Sequence, residues 1–198
     1  HLLRRVPAVR ATYEQGAAAL HQRAPDLRVV IASDAAAVTL GLQRYLALDA
    51  LHDGAAAAAL VPSWYLLGRD AARTAFYRDW LPTLAARGQA QIWLLEASGG
   101  DAAALLRLRC GGVWLERHLT QHPAWHDAAP AVHLMVQALA QSWRDGAGES
   151  DLLVPPSGLT RSLLGWYDAE RPTRRLHAWN LHSRAVVMPM IDRLRGRA

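Results

Sequence analysis

The sequence has 198 residues, 52% of them apolar, which fits one domain of ordinary size or a domain of about 120 residues with a small appendage. This apolar content excludes wholesale disorder, and the longest apolar runs are too short for the roughly 20 residues of a membrane span. The single cysteine, Cys110, excludes an internal disulfide and fits a reducing compartment, so we expect a cytoplasmic protein.

Charge is unevenly distributed along the chain. The net charge is +5, all 22 basic residues are arginine, and residues 151–198 contribute +4 from eight arginines and four acids. A basic end on a near-neutral body is typical of a protein that binds a polyanion. The alternative is a solvated, arginine-rich helical surface that binds nothing.

The N-terminal quarter predicts a helix, a strand and a second helix. Residues 2–23 have the composition of a helical extension, and the β-branched run at 27–33 predicts a buried strand. Asp34 is placed to cap the helix that follows. Four positions of that helix share one face and are expected to be buried: Val38, Leu42, Tyr45 and Leu46.

The middle of the chain predicts further alternation of strands and helices. In order, the pattern gives a weak strand at 55–67, a helix at 69–88, a strand at 91–98, a short helix at 101–109, a strand at 111–116 and a helix at 129–143. The 69–88 helix is expected to direct four side chains inward: Phe76, Trp80, Leu81 and Leu84.

This alternation predicts an α/β fold with a doubly wound, parallel five-stranded sheet of the flavodoxin-like kind. Ligands of such sheets bind beyond the carboxyl ends of the strands. After a polar linker the pattern becomes purely helical, which predicts a small all-α helix-turn-helix domain. We therefore divide the chain into an N-terminal helical extension (1–26), a sheet domain (27–146) and a helical domain (147–198).

Four strings in the sequence resemble parts of a bacterial two-component response regulator. LRVVIASDAAAVTLGLQRYL is similar to the first strand and helix of a receiver domain, and LRCGGVWLE is similar to a later turn and strand of it. LVPPSGLTRSLLGWY and NLHSRAVVMPMIDRLRG are similar to the beginning and the end of a LuxR-type DNA-binding domain. The resemblance implies a receiver-like domain followed by a helix-turn-helix.

The phosphotransfer chemistry of a receiver is expected to be lost. The resemblance implies two metal-binding acids, an acceptor aspartate, a switch hydroxyl and a lysine, and this chain has no lysine. The degenerate, pseudo-receiver site comprises Ser33, Asp34, Trp64, Glu96 and Glu116. A lone Asp34 cannot hold Mg²⁺, because hard cations require several oxygen ligands. We therefore expect no phosphorylation, no metal or cofactor, and no enzymatic activity.

The C-terminal segment is predicted to contact DNA. Asn180 fits the turn of a helix-turn-helix, and the resemblance implies a recognition helix after it. Pro189 would interrupt that helix, and Val187 and Met188 are poor readers of bases. Eight residues are predicted to contact DNA: Arg161, Arg171, Arg174, Arg175, His182, Arg184, Arg193 and Arg195.

Other unusual residues are interpreted as structural. His118, His122 and His126 are spaced by four residues, but Pro123 interrupts the helix, so we expect surface histidines in a loop. Cys110 is expected to be a buried filler. Five tryptophans are expected to pack in the core, with the first plugging the vacant acceptor pocket: Trp64, Trp80, Trp93, Trp114 and Trp143.

The sequence thus favours a transcriptional regulator that binds DNA and forms a homodimer. Its receiver-like domain would serve dimerisation or respond to a protein partner or a small ligand, away from any membrane. One alternative is a non-catalytic protein–protein interaction module with a degenerate helix-turn-helix. A minor alternative is a small α/β enzyme that uses Ser33 or Ser98 with Asp34 or Asp101.

Overall fold

The computed structural model describes residues 7–52, 67–147 and 149–151, all within the first of two compact units, His1–Tyr167 and Asp168–Ala198. The helices and strands are α1 (Pro7–Arg23), β1 (Arg28–Ala32), α2 (Ala35–Ala50), α3 (Ala71–Ala85), β2 (Ala90–Ala97), β3 (Gly100–Cys110), β4 (Val113–Gln121), α4 (Pro130–Arg144) and β5 (Glu149–Asp151). Short 3-10 helices, Leu67–Arg69 and Pro123–Ala128, precede α3 and α4. Of the helices in these ranges, none has the length and apolar content needed to cross a membrane.

The described strands form one sheet in the order β1-β2-β3-β4-β5. The pairs β1–β2, β2–β3 and β3–β4 are antiparallel, and the pair β4–β5 is parallel. The predicted doubly wound parallel sheet of the receiver/flavodoxin-like kind is therefore wrong. The cause is the segment at 101–109, which was predicted to be a helix and is β3. No helix separates β2, β3 and β4, and strands joined by two-residue turns run antiparallel.

Two tight turns connect these three strands. Ser98 and Gly99 have φ values of 52° and 78°, and Gly111 and Gly112 have 56° and 87°. Two consecutive residues with positive φ give the turn whose twist matches that of paired strands. Ser98 is held in this conformation because its N–H donates a 3.0 Å hydrogen bond to Asp26 Oδ1.

Helices cover both faces of the sheet. On one face α2 and α3 pack over β2 and β3, and the predicted burial of Val38, Leu42 and Tyr45 is confirmed. On the other face lie α1 and α4, with Leu20 and Met135 among their buried residues. The central strand β3 is buried on both sides, so it has no polar face and no alternating pattern.

Helix α2 is fixed to the sheet by its cap and by a glycine. The Asp34 carboxylate accepts a 2.8 Å hydrogen bond from the Ala37 N–H, which confirms the predicted N-cap. A Cβ atom at Gly41 would lie 3.2 Å from Ile92 and 3.3 Å from Ala32. The helix therefore approaches β1 and β2 more closely than a larger residue would permit.

Several predicted core side chains lie at the surface. Phe76 and Trp80 are 53% and 38% exposed and pack on each other with ring centroids 5.0 Å apart. Helix α3 directs Leu81 inward as predicted, together with Tyr77, which was not predicted. Trp93 and Trp114 are buried as predicted, whereas two other predicted core residues are exposed, Trp143 and Cys110.

Candidate functional site

In the described part of the chain, the outer edge of β4 is paired only at its beginning. Strand β3 pairs with β4 from Val113 to Gln121, whereas β5 pairs only with the first three residues of β4. Within the described ranges, no strand lies beside β4 from residue 116 onward. An open edge presents unpaired backbone N–H and C=O groups, to which an extended ligand can bond.

A β-bulge lies where this edge opens. Leu106 pairs with His118 and Arg107 pairs with Glu116, so Arg117 has no partner residue on β3. A bulge adds one residue to a strand and changes which face the following side chains occupy. As a result, Glu116 faces α4 and bonds to Arg107, while His118 faces α3 on the opposite side of the sheet.

Polar side chains gather on the α2–α3 side of the open edge. They come from the end of α2, from α3 and from β4, and we call them the β4 polar cluster: Asp49, His52, Tyr77, Arg117, His118 and Thr120. Residues two apart on a strand share a face, so the side chains of His118 and Thr120 are about 7 Å apart along β4. The cluster therefore follows the open edge toward its carboxyl end.

One half of the cluster is centred on the Tyr77 hydroxyl. This oxygen lies 3.1 Å from His118 Nε2 and accepts a 3.4 Å hydrogen bond from Arg117 Nε. The Tyr77 and His118 rings meet edge to face, with centroids 5.4 Å apart. Burial, together with the charges of Arg117 and Arg73, lowers the pKa of His118 to about 3. The His118 ring is therefore neutral at physiological pH.

The other half of the cluster is formed by Asp49 and His52, which are 2% and 3% exposed. The Gly68 N–H donates a 3.3 Å hydrogen bond to Asp49 Oδ2. Burial raises the pKa of Asp49, and the neighbouring hydrogen-bond donors and His52 partly offset this effect. His52 Nε2 lies 2.8 Å from the backbone oxygen of Gln121, which joins the end of α2 to the end of β4.

The tautomer of neutral His52 follows from this contact. A carbonyl oxygen can only accept a hydrogen bond, so Nε2 carries the hydrogen and Nδ1 carries a lone pair. Among the described residues, His52 Nδ1, Asp49 Oδ1 and Thr120 Oγ1 are buried and have no hydrogen-bond partner. Thr120 lies close enough to Asp49 to lower its pKa, but not in good hydrogen-bonding geometry. Buried polar atoms are normally bonded, so this concentration indicates a place for a ligand or water.

The beginning of α4 is closed to anions in this arrangement. Pro130 has no N–H, and the Ala131 N–H donates a 3.3 Å hydrogen bond to Gln121 Oε1. The N–H groups of the next two residues donate to the Ala129 carbonyl at 3.0 and 3.2 Å. A helix N-terminus binds anions through free N–H groups, and the first turn of α4 has none.

The structure does not bring the predicted receiver-site residues together. Ser33 and Asp34 follow the end of β1, whereas Glu96 lies opposite Arg28 at the beginning of β1. Glu116 faces α4, away from the β4 polar cluster. These positions are separate because consecutive strands are antiparallel. The carboxyl end of one strand therefore lies at the opposite end of the sheet from the carboxyl end of the next strand.

The other residues singled out from the sequence form no site in the described part of the chain. Ser98 lies in the turn before β3, and Asp101 is bound by Arg44, so they form no nucleophile–base pair. Trp64 and the predicted DNA-contacting residues lie outside the described residues: Arg161, Arg171, Arg174, Arg175, His182, Arg184, Arg193 and Arg195.

Sequence reasoning missed most of the β4 polar cluster. His118 was placed in a loop, although it lies within β4, and Asp49, His52 and Tyr77 were not singled out. A usable signal was present in the Gly111–Gly112 pair, since two glycines between apolar runs predict a hairpin. That signal would have extended the final hairpin strand and placed His118 beside the helices.

Comparison with known proteins gives a consistent result. A model of the acetyltransferase (GNAT) domain matches residues 7–159. The chain is similar in fold to a ribosomal-protein-alanine N-acetyltransferase from Brucella melitensis biovar Abortus 2308, with a TM-score of 0.50, 12% identity and coverage of 78% of this chain and 99% of that one. It is also similar in fold to the aminoglycoside N-acetyltransferase AAC(6')-Iy in complex with CoA, with a TM-score of 0.50, 10% identity and coverage of 78% of this chain and 95% of that one. No curated protein sequence matches.

These findings correct the functional prediction. The acetyltransferase match covers every described helix and strand, so the response-regulator resemblance is wrong. The same finding overturns transcriptional regulation, DNA as the main partner and the absence of enzymatic activity. The resemblance depended on short strings whose strand and helix composition recurs in many folds, and the antiparallel sheet excludes the architecture it implied.

Proposed function

The chain belongs to the GNAT acetyltransferase family, whose model covers residues 7–159, and from this we propose that it transfers an acetyl group from acetyl-CoA to an amine. The two structural neighbours are named as N-acetyltransferases, which supports nitrogen as the accepting atom. The observation that carries the proposal is the family match together with the open β4 edge, beside which an unpaired imidazole nitrogen lies.

The open edge of β4 fits the donor substrate in part. The pantetheine arm of CoA is extended and contains amide groups, which the outward-facing backbone groups of residues 116–120 would bind as a strand binds its neighbour. The first turn of α4 does not fit the CoA phosphates, because its N–H groups are already bonded. We therefore assign the pantetheine arm to β4 and assign no residue to the phosphates.

Acetyl-CoA, when bound, supplies an acetyl thioester that reacts with a neutral amine to give an amide and the CoA thiol. Most amines are protonated at neutral pH, so the enzyme has to remove a proton from the acceptor. The proposed base is His52, whose Nδ1 lone pair has no partner among the described residues. The carbonyl of Gln121 fixes the ring by accepting from Nε2–H.

Two neighbouring groups are less suitable as the base. A pKa of about 3 makes His118 a weak base, because efficient proton transfer requires a pKa near the working pH. Asp49 is largely enclosed and bonded to Gly68, so its better role is electrostatic. Its carboxylate would stabilise the imidazolium that forms when His52 takes up the proton.

The test is an assay of CoA thiol release from acetyl-CoA in the presence of primary amines. We expect amine-dependent release and a product that mass spectrometry identifies as an N-acetyl compound. Thiol release without any acetylated amine, or acetylation of a hydroxyl group instead, would contradict the proposal. The assay uses the full chain.

The proposed location is the cytoplasm, as the single cysteine indicates. Acetyl-CoA is a metabolite of the cell interior, which agrees with this location. Fractionation of cells that express the chain would test it, with recovery outside the cytoplasmic fraction as the contrary result.

A further inference from the structure

Arg117 differs from most other arginines near the sheet. Its side chain is exposed at the open edge of β4, and it has no ion pair among the described residues. By contrast, Arg28 and Arg44 bind Glu96, and Arg107 binds Glu116. An arginine without a carboxylate partner has free N–H groups that fit a carboxylate or a phosphate.

The Arg117 side chain is held in a defined position. Its Nε atom donates a 3.4 Å hydrogen bond to the Tyr77 hydroxyl, which holds the guanidinium near α3 while the side chain stays exposed. Arg73, on α3, is close enough that its charge and that of Arg117 both act on the His118 ring. Arg73 is paired with Asp70 at 3.3 Å and His118 is neutral, so the net positive charge at this part of the β4 polar cluster comes from Arg117.

We propose that Arg117 binds an acidic group of the acceptor substrate. The acceptor would then be an amine that also carries a carboxylate or a phosphate, such as an amino acid or a peptide. This inference rests on the proposed acetyl transfer, because it names the substrate class of the same site. Arg117 would be a specificity-determining residue and would take no part in proton transfer.

The position of Arg117 favours the acceptor over the donor phosphates as the source of the anion. Arg117 contacts Tyr77 on the α2–α3 side of the sheet, the side on which His52 lies. The base has to be next to the acceptor amine, so a cation on the same side is near the acceptor. A polycationic acceptor, such as an aminoglycoside, would be repelled by Arg117.

The first test measures binding by calorimetry, with 6-acetamidohexanoate and its uncharged amide as matched probes. We expect the wild-type chain to bind the acid at least about tenfold more tightly, since a hydrogen-bonded charge pair contributes this much. Arg117→Gln should abolish the preference and Arg117→Lys should retain part of it. The control is Arg87→Gln, which removes an exposed arginine from the turn after α3 and should change nothing. Equal binding of acid and amide by the wild type would overturn the inference.

The second test shows whether Arg117 binds the acceptor or the phosphates of the donor. It also distinguishes failure of the anion site from failure of the proposed acetyl transfer. With 6-aminohexanoate as acceptor, Arg117→Gln should raise KM for the acceptor about tenfold and leave KM for acetyl-CoA unchanged. A rise in KM for acetyl-CoA alone would assign Arg117 to the donor and overturn the inference. If the wild type prefers the acid in calorimetry but releases no CoA thiol with any amine, the acetyl-transfer proposal fails while the anion site stands.

Discussion

Arg107 and Glu116 form a bidentate ion pair that the fold encloses completely. Arg107 Nε and Nη2 each lie 2.8 Å from a carboxylate oxygen of Glu116, and the two side chains are 1% and 0% exposed. The guanidinium lies 4.5 Å from the Trp114 ring and 5.3 Å from the Trp93 ring, and it also donates to Ser142 on α4. The pair therefore joins β3, β4 and α4.

Removing one partner of this pair should destabilise the protein strongly. We expect Glu116→Gln to lower the free energy of unfolding by about 3–5 kcal/mol, because Arg107 would remain buried without a counter-charge. Urea denaturation measures the change, with Arg87→Gln as a surface control that should stay within about 0.5 kcal/mol. The double variant Arg107→Met with Glu116→Leu should lose less than the single one. A loss below about 1 kcal/mol for Glu116→Gln would contradict this account.

Stability should fall when the pH is lowered below about 6.5, the ordinary pKa of histidine. The pKa is about 3 for His118 and about 4 for His133, in both cases chiefly because of burial. Between pH 6.5 and 4 the unfolded chain binds more protons at these positions than the folded chain does. The free energy of unfolding therefore rises with pH in this window, by up to about 1.4 kcal/mol per pH unit for each histidine.

The His133→Gln variant separates the contribution of the buried histidine to the pH dependence from that of carboxyl groups with the opposite effect. Burial raises the pKa of Asp49 and Glu116, so these carboxyls favour the folded state at low pH and reduce the observed slope. The comparison of wild type with His133→Gln between pH 4 and 6.5 removes their contribution, since both proteins contain them. The variant should show a shallower slope, and identical slopes would exclude His133 as a contributor.

His52→Gln should lower kcat for acetyl transfer by about 10²- to 10⁴-fold, the usual contribution of a general base. Glutamine can still donate a hydrogen bond to the Gln121 carbonyl but cannot take up a proton. KM for acetyl-CoA should change little. The matched control is His122→Gln, which replaces a histidine that caps the 3-10 helix before α4. Equal losses of kcat in both variants would exclude a specific role for His52.

Gly41→Val should lower the free energy of unfolding by about 1–3 kcal/mol, because the new side chain overpacks the contact between α2 and the sheet. The Cβ atom alone would lie 3.2 Å from Ile92. The control is Ala47→Val on the exposed face of the same helix, which should cost only about 0.5 kcal/mol of helix propensity. Thermal or urea unfolding distinguishes the two, and equal losses would show that packing at Gly41 is unimportant.

The first part of the fold could be predicted from the sequence, and the strand directions could not. The β-branched run before Asp34 and the buried face of α2 are local patterns, and both elements were predicted correctly, although β1 is an edge strand and not the buried strand that was expected. The segment at 101–109 contains mainly alanine, leucine and arginine, which favour helices, yet it forms the central strand. Burial between two neighbouring strands and two helical layers overrode its propensity. That single error created the alternation from which a parallel sheet was inferred.

The candidate site could be predicted only in fragments, because it depends on contacts between distant segments. Asp49 lies in the last turn of α2 and His52 follows the helix, but nothing local indicates that they meet the end of β4. The bulge at Arg117 reverses the faces of Glu116 and His118, and no pattern in the sequence marks it. The Gly111–Gly112 pair was the one strong local signal near the site, and it specified the hairpin rather than the chemistry.

The two-residue turns between β2, β3 and β4 have a consequence for folding kinetics. From Ala90 to Gln121 each strand pairs with the next one along the chain, so these contacts have low sequence separation. Loop closure costs least for such contacts, and we expect the three strands to assemble before β1 and β5 add at the edges. Strand β4 would thus acquire its register early, and α2 would bring Asp49 and His52 to a strand already in place.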